Sequence, residues 1–301
     1  MRDSLGVTSG ESLLVVCDPT THELGIKLRD EGERAGADSV LALMAERETN
    51  GEDPAAPISA AMVAADVVLA PTAKSISHSE ARRRATEAGA RIATLPGVTE
   101  EMLARVMSVD MDELERLTHA IAERLDAASE ARITCPNGSD LTLSLEGRAG
   151  IPDDGRLTAP RAFGNLPPGE GFIAPLEDRA EGKLVVDGSI ADIGLMDEPV
   201  ELTIEGGRLT AATGDAGRQL YEMLAAHGGE NVAELGVGAN DRAIITGNVL
   251  EDEKVLGTIH VAFGAVWGGV VKVPVHIDCV ILKPELTVDR EPLVSGGRLL
   301  V

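Results

Sequence analysis

The strongest constraint on the fold is the alternation of short apolar runs with amphipathic or alanine-rich stretches in the N-terminal part of the chain. The apolar runs include residues 12–17, 39–44, 66–70 and 90–94, and the helix-like stretches include residues 22–35, 58–65 and 79–88. A short run bounded by such stretches is typical of a strand in a parallel sheet, because crossover helices cover the faces of such sheets. We therefore predict an α/β fold with helices on both faces of the sheet.

The pattern changes after residue 129. Strand-like residues 131–135 and 141–145 flank the tetrapeptide PNGS, whose residue types favour a hairpin turn. More strand-like segments follow, and one helix is predicted at residues 217–226. We predict two domains: an α/β domain with a parallel sheet at 1–129, and a β-rich α+β domain at 130–301.

The net charge excludes some classes of partner. Fifty acidic and twenty-seven basic residues leave a formal charge of −23. Such a chain is repelled by nucleic-acid phosphates and by anionic lipids, so we expect neither nucleic acid nor a membrane as its partner. The chain has three cysteines and begins without a basic-then-apolar leader, which favours a reducing, cytoplasmic location.

The candidate chemistry lies in the last third of the chain. Residues 271–281 alternate strictly, with apolar side chains on one face of a predicted strand and His276 and Asp278 on the other. Because side chains two residues apart in a strand point the same way, this imidazole and this carboxylate face one space. Both groups are good ligands for a transition metal. The same pair could also be a structural ion pair.

A second strand-like segment carries His260 between Thr258 and Ala262. A glycine-containing return would set the two histidine strands antiparallel, so that both imidazoles open onto one face. Upstream, Glu234 precedes two glycines, Gly236 and Gly238, which leave its face uncrowded. Each residue alone also has an ordinary structural explanation, such as a hydrogen-bonded histidine in the core.

Glu170 is the fifth candidate. It lies in the sequence NLPPGEG, whose prolines and glycines predict a loop from which the single carboxylate projects. In so acidic a chain, the alternative explanation is that Glu170 is an ordinary solvated surface residue.

These residues belong to four motifs in one order, NLPPGEGFIAP, AELGVG, GTIHVAFG and VHIDCVI, preceded by SISHSEARRRATEAGARIATLPGVTEEML. In these motifs the chain resembles the M29 family of metal-dependent aminopeptidases. The resemblance implies a homodimer with an α/β domain, a β-rich catalytic domain and two divalent metal ions (zinc, cobalt or manganese). By motif, it assigns as metal ligands Glu170, Glu234, His260, His276 and Asp278. The tyrosine ligand of that family is missing, and Trp267 stands nearby.

The chain is also similar to the 2,5-dihydroxypyridine dioxygenases, which share this fold. That similarity implies a mononuclear Fe(II) site made of His260, His276 and Asp278, without a tyrosine.

Three hypotheses follow. The first is a metal-dependent hydrolase, an aminopeptidase acting on small peptides, with Asp278 bridging the metals and Glu170 or Glu234 as general base. The second is a ring-cleaving Fe(II) dioxygenase acting on a small molecule. The third is a non-catalytic binding protein that has kept the fold.

Overall fold

The computed structural model describes residues 1–266 and 271–301. The chain divides into two compact units, the first made of residues 1–107 and 155–168, and the second of residues 108–154 and 169–301. The predicted order, α/β and then β-rich, is confirmed, but the division differs from a single boundary at residue 129. Residues 163–165 form a strand that pairs with residues 92–94, which explains why the chain returns to the first unit.

The helices in the described ranges are α1 (Arg2–Leu5), α2 (His22–Ala35), α3 (Ala56–Ala64), α4 (Glu80–Ala88), α5 (Glu100–Val106), α6 (Met111–Asp126), α7 (Gly214–Ala225) and α8 (Val249–Asp252). The strands there are β1 (Ser12–Cys17), β2 (Asp38–Leu43), β3 (Val67–Thr72), β4 (Arg91–Pro96), β5 (Glu130–Thr134), β6 (Asp140–Ser144), β7 (Gly150–Asp153), β8 (Phe163–Asn165), β9 (Glu170–Ile173), β10 (Glu181–Val186), β11 (Ser189–Ile190), β12 (Gly194–Leu195), β13 (Val200–Glu205), β14 (Arg208–Ala212), β15 (Val232–Gly238), β16 (Ile259–Gly264), β17 (His276–Ile281), β18 (Glu285–Val288), β19 (Glu291–Ser295) and β20 (Arg298–Leu299).

The first unit contains a parallel sheet whose strand order, within the described residues, is β2-β1-β3-β4-β8. Val16, Val68 and Ile92 of its central strands are fully buried in one apolar cluster. Helix α2 packs against β1 and β2. The predicted parallel α/β architecture is confirmed.

The second unit contains two antiparallel sheets within the described part of the chain. Their strand orders are β14-β13-β10-β6-β5-β18-β19-β20 and β12-β11-β17-β16-β15-β9-β7. The PNGS turn joins β5 and β6 in an antiparallel hairpin, as predicted. One core cluster takes buried side chains from both sheets, among them Leu143 and Leu184 of the first and Leu235 and Val261 of the second. The sheets are therefore held together by a common apolar layer.

The longest described helix, α6, packs against β7 and β9. It begins after Asp110, whose side chain accepts hydrogen bonds from the backbone N–H groups of Asp112 and Glu113 at 3.1 and 3.2 Å. Ile121 and Leu125 are fully buried on one stripe of the helix. No helix in the described ranges is both long enough and apolar enough to cross a bilayer.

Candidate metal centre

The register of four neighbouring strands gathers the five predicted site residues on one face of the second antiparallel sheet. Ala262 of β16 lies opposite both Glu234 of β15 and Asp278 of β17. His260 lies opposite Gly236, one strand away from Glu170 of β9. Because side chains alternate across a sheet, the neighbouring residues Leu235 and Cys279 point into the core instead. The long-range register thus assembles residues that are far apart in sequence.

Glu170 does not project from a loop, which corrects the prediction. It is the first residue of β9, only 5% exposed, and its backbone is paired between Asp153 of β7 and Gly238 of β15. Strand pairing on both sides places Glu170 inside the sheet. This pairing depends on residues far away in the chain, so the neighbouring prolines and glycines could not predict it. The carboxylate is therefore a buried group that requires a partner.

His260 is fully buried, and its Nε2 lies 2.9 Å from Glu170 Oε2 and 3.3 Å from Glu234 Oε1. Its Nδ1 has no hydrogen-bond partner among the described residues. A Cβ on Gly236 would lie 2.1 Å from the imidazole Cε1, so only glycine leaves room for this ring. The predicted open face beside Glu234 is thus occupied by the histidine itself.

His276 opens strand β17, whereas the sequence predicted a strand from residue 271. Its Nδ1 lies 2.8 Å from the carbonyl oxygen of Ala265. Since a carbonyl can only accept, Nδ1 carries the proton, and Nε2 lies 3.4 Å from Asp278 Oδ1. A backbone partner of this kind would orient the imidazole for binding a metal ion through Nε2. Trp267, the residue that stood near the missing tyrosine, lies outside the described residues.

A buried lysine, Lys254, is the main site residue that the sequence analysis missed. It is 1% exposed, and its Nζ contacts Glu170 Oε1, Glu253 Oε1 at 2.9 Å and Asp153 Oδ2 at 3.1 Å. The run EDEK at 251–254 has the composition of an exposed segment, yet all four residues are buried. The composition of this run gave no indication that the lysine is buried. The only indication in the sequence was its position between the two strands that carry Glu234 and His260.

The neighbouring carboxylate of Asp252 explains why this charged run can be buried. It accepts hydrogen bonds from Ser189 Oγ at 2.6 Å and from the backbone N–H groups of Thr246 and Gly247 at 2.7 and 2.9 Å. These bonds compensate the buried charge. They also anchor the short helix α8, and Glu253 and Lys254 follow directly after its end.

Opposite charges shift the pKa values of the site residues. Burial opposes ionisation of both Asp278 and His276, but each charge more than offsets this effect on the other. The pKa of Asp278 falls to about 2 and that of His276 rises to about 10. Burial likewise opposes ionisation of Glu170, yet Lys254 and then His260 lower its pKa to about 2. Without an ion, the imidazoles are thus cationic partners of the carboxylates, and a metal ion must displace their protons.

Three overlapping groups of donors lie close enough to hold a metal ion, with their atoms within 4.8 Å of one another. They are Glu170–Glu234–His260, Glu234–His276–Asp278 and Glu253–His260–Asp278. Imidazole and carboxylate donors suit zinc, manganese and iron. The unpartnered Nδ1 of His260 and the excess of buried carboxylates over ammonium groups also fit a bound divalent cation. The described residues include a further, more exposed group, Glu115–His119–Asp154.

Comparison with known proteins identifies the class. A family model described as 2,5-dihydroxypyridine 5,6-dioxygenase (NicX) matches residues 7–301. The chain therefore belongs to this family. Comparison with curated sequences gave no match.

Two solved structures share the fold. One is 2,5-dihydroxypyridine dioxygenase from Pseudomonas putida KT2440, with a TM-score of 0.84 and 21% identity over 98% of this chain and 93% of that one. The other is wild-type AmpT from Thermus thermophilus, with a TM-score of 0.72 and 18% identity over 100% and 97% of the two chains. Both resemblances predicted from the motifs are thus confirmed at the level of fold.

Proposed function

We propose that this chain is a metal-dependent ring-cleaving dioxygenase acting on a dihydroxylated pyridine or a closely related ring. The observation that carries the proposal is the placement of His260, His276 and Asp278 on adjacent strands, on one face of the sheet. Two imidazoles and one carboxylate form the donor set typical of mononuclear non-haem Fe(II) oxygenases. Membership of the dioxygenase family supports the same conclusion.

His260, His276 and Asp278 would hold the ion. When bound, Fe(II) supplies a Lewis acid and a redox centre for reaction with O₂. The carbonyl of Ala265 fixes the orientation of His276, and Glu170 contacts the imidazole of His260.

Glu234 is the residue best placed to take a proton from a ring hydroxyl. Burial raises the pKa of Glu234, and its carboxylate contacts His260 at the centre of the donor groups. A small apolar cluster of Ala233, Ala262 and Val266 lies beside it and limits access of water. A carboxyl group with a raised pKa beside apolar side chains is suited to deprotonating a bound phenol-like group.

Oxygen uptake by the Fe(II)-loaded protein tests the proposal. With 2,5-dihydroxypyridine, we expect one O₂ consumed per ring cleaved and a product that gains the mass of one O₂. His276→Ala should lower the rate at least a hundredfold, a loss on the scale of removing a catalytic group. His227→Ala, which changes an exposed histidine, is the matched control. No uptake with any dihydroxypyridine would contradict the proposal.

An aminopeptidase acting on small peptides is the second candidate. Two of the donor groups share Glu234, and adjacent groups that share a carboxylate are what a two-metal hydrolase needs. Release of amines from peptide amides by zinc-, cobalt- or manganese-loaded protein, abolished by Glu234→Gln, would favour this activity. We also propose that the chain forms a homodimer and acts on a small molecule. Measurement of its molecular mass in solution tests the homodimer.

A further inference from the structure

The backbone carbonyl of Ala265 is the partner of His276 Nδ1, at 2.8 Å. It belongs to the residue that follows β16, just beyond the last paired residue, Gly264. An imidazole that binds a metal ion through one nitrogen needs a fixed hydrogen-bond partner on the other. The orientation of His276 therefore depends on the contacts that hold the backbone at Gly264 and Ala265.

The peptide group between Gly264 and Ala265 is held at both ends. Its N–H, that of Ala265, donates to the carbonyl oxygen of Val275 at 2.7 Å. Its carbonyl oxygen, that of Gly264, accepts a hydrogen bond from Asn231 Nδ2 at 2.8 Å. Gly264 has a φ of 113°, and a Cβ there would lie 2.2 Å from the Val275 carbonyl oxygen. Because a peptide group is planar, the two hydrogen bonds fix the plane from which the chain continues to the Ala265 carbonyl.

Asn231 lies one residue before β15 and binds Gly264 at two points. Besides the side-chain bond, its backbone carbonyl accepts from the Gly264 N–H at 3.0 Å. Since the Gly264 carbonyl can only accept, the side-chain atom that faces it must be the amide nitrogen. The same nitrogen has a longer contact, 3.5 Å, with the carbonyl oxygen of Val232. Only the side-chain bonds can be removed by substitution, so their contribution can be measured separately.

The other side-chain atom of Asn231 indicates why an amide stands here. The residue is 5% exposed, and its Oδ1 has no hydrogen-bond partner among the described residues. A buried acceptor without a partner lowers stability, whereas an apolar side chain of similar shape would fill the same space without this loss. The amide therefore brings something that packing does not require, and this is the N–H donor to Gly264.

We propose that Asn231 is a positioning residue of the metal centre. Its Nδ2 donor fixes the Gly264 peptide group, which directs the Ala265 carbonyl and so orients the His276 ring for binding through Nε2. The inference rests on the proposed metal site and deepens it, because it extends the support of His276 to a residue outside the four motifs.

The affinity for Zn(II) tests this inference without any assay of activity. Metal-free protein is titrated with Zn(II) in competition with a chromophoric chelator. Asn231→Asp keeps the shape of the side chain but replaces its donor by an acceptor, and the variant should bind Zn(II) about 10–100-fold more weakly. Asn231→Leu introduces no buried charge and keeps the test decisive if Asn231→Asp does not fold. It should show the same loss, because it also lacks the donor.

Ser139→Ala is the matched control, since it also removes a buried bond between a side chain and the backbone. Ser139 is 4% exposed, and its Oγ accepts from the Val185 N–H at 2.8 Å, in the other antiparallel sheet. This variant should lower the melting temperature and leave the affinity for Zn(II) unchanged. An equal loss of affinity in Ser139→Ala and Asn231→Leu would overturn the inference, because general stability would then explain both.

A spectroscopic signature of His276 separates positioning from stability. In Zn(II)-loaded protein with ¹⁵N-labelled histidine, the Nδ1–H of His276 should give a proton resonance that exchanges slowly with water and is missing in His276→Ala. Exchange should be about tenfold faster in Asn231→Leu and unchanged in Ser139→Ala. In a folded Asn231→Leu, an unchanged affinity or an unchanged exchange rate would overturn the inference.

The outcomes for the wild-type chain distinguish this inference from the proposed function. A wild-type chain that binds no divalent ion would contradict both. Zn(II) binding that weakens in the Asn231 variants as expected, without oxygen uptake by the Fe(II)-loaded wild type, would support the inference and contradict only the proposed dioxygenase activity.

Discussion

The ion pairs of this chain contribute very different amounts to its stability. Lys27 and Glu100 form a pair whose side chains are 56% and 62% exposed, and such pairs are worth at most about 1 kcal/mol. Lys254 and Glu170 form a pair with side chains 1% and 7% exposed. Removing one partner of a buried pair leaves an uncompensated charge and costs about 3–5 kcal/mol. Few residues therefore dominate the electrostatics of the site.

Asp66 allows a test of stability against pH in the first unit. Its carboxylate accepts hydrogen bonds from the Ser12 backbone N–H at 2.9 Å and from Ser12 Oγ at 2.8 Å, and these bonds hold its pKa below the ordinary 3.8. A carboxyl with a lowered pKa stabilises the fold above its unfolded pKa, and this stability is lost as pH falls through the folded pKa. Asp66→Asn should therefore destabilise the protein by about 1 kcal/mol at pH 7, at the low end because the residue is exposed.

Urea unfolding of Asp66→Asn and wild type at several pH values measures this effect. The difference in unfolding free energy should shrink below the ordinary pKa of 3.8. A difference of the same size at low and neutral pH would show that charge is not its cause.

At the level of elements, strand β15 has one face that lines the candidate metal site and one face that packs in the core. Gly236 faces the site, and a Cβ there would lie 2.2 Å from His260 Nε2 and 2.8 Å from Glu170 Oε2. Gly236→Ala should displace the imidazole, destabilise the protein by about 1–3 kcal/mol and weaken metal binding at least tenfold. Calorimetric titration with Zn(II) gives the affinity.

The control for Gly236→Ala lies one residue further along the same strand. Val237 is fully buried on the opposite, core face. Val237→Ala should cost about 2 kcal/mol through a cavity while leaving the metal affinity unchanged. Equal losses of affinity in the two variants would mean that strand β15 acts on the site only through overall stability.

Helix α6 provides a second test of an element. Asp110→Ala removes the side chain that caps two N–H groups at the start of the helix, and it should cost about 1 kcal/mol. Asp110→Ser retains a capping oxygen and should recover most of the loss. Thermal unfolding that is identical for the alanine variant and wild type would exclude a capping role.

At the scale of the whole molecule, the net charge of −23 sets the response to salt. Like charges on the surface repel one another, and added salt shortens the range of this repulsion from about 10 Å at 0.1 M to about 3 Å at 1 M. The melting temperature of the metal-free protein should rise over this range of KCl, and equally in NaCl if screening is the cause. A melting temperature that falls with salt would show that surface ion pairs outweigh the self-repulsion.

The sequence by itself determined features that depend on local pattern. The alternation of apolar runs predicted the parallel sheet, the PNGS turn predicted the β5–β6 hairpin, and alternation within strands put Asp278 and Cys279 on opposite faces. The order of four motifs led to the resemblances to a dioxygenase and to an aminopeptidase, and the two solved structures described above share the fold. The sheet, the hairpin and the strand faces could be predicted because each depends on residues close together in the chain.

Only the tertiary structure decided which charges share the site. Glu170 became a buried strand residue through pairing with β7 and β15, and Lys254 entered the site through the anchored helix α8. The three partners of this lysine are not all its chain neighbours: Glu253 is adjacent, but Asp153 and Glu170 lie far upstream. From sequence alone, a charged run predicts a solvent-exposed segment, because burial is a property of the assembled sheets. The charges that compensate Lys254 are known only once the strands have paired.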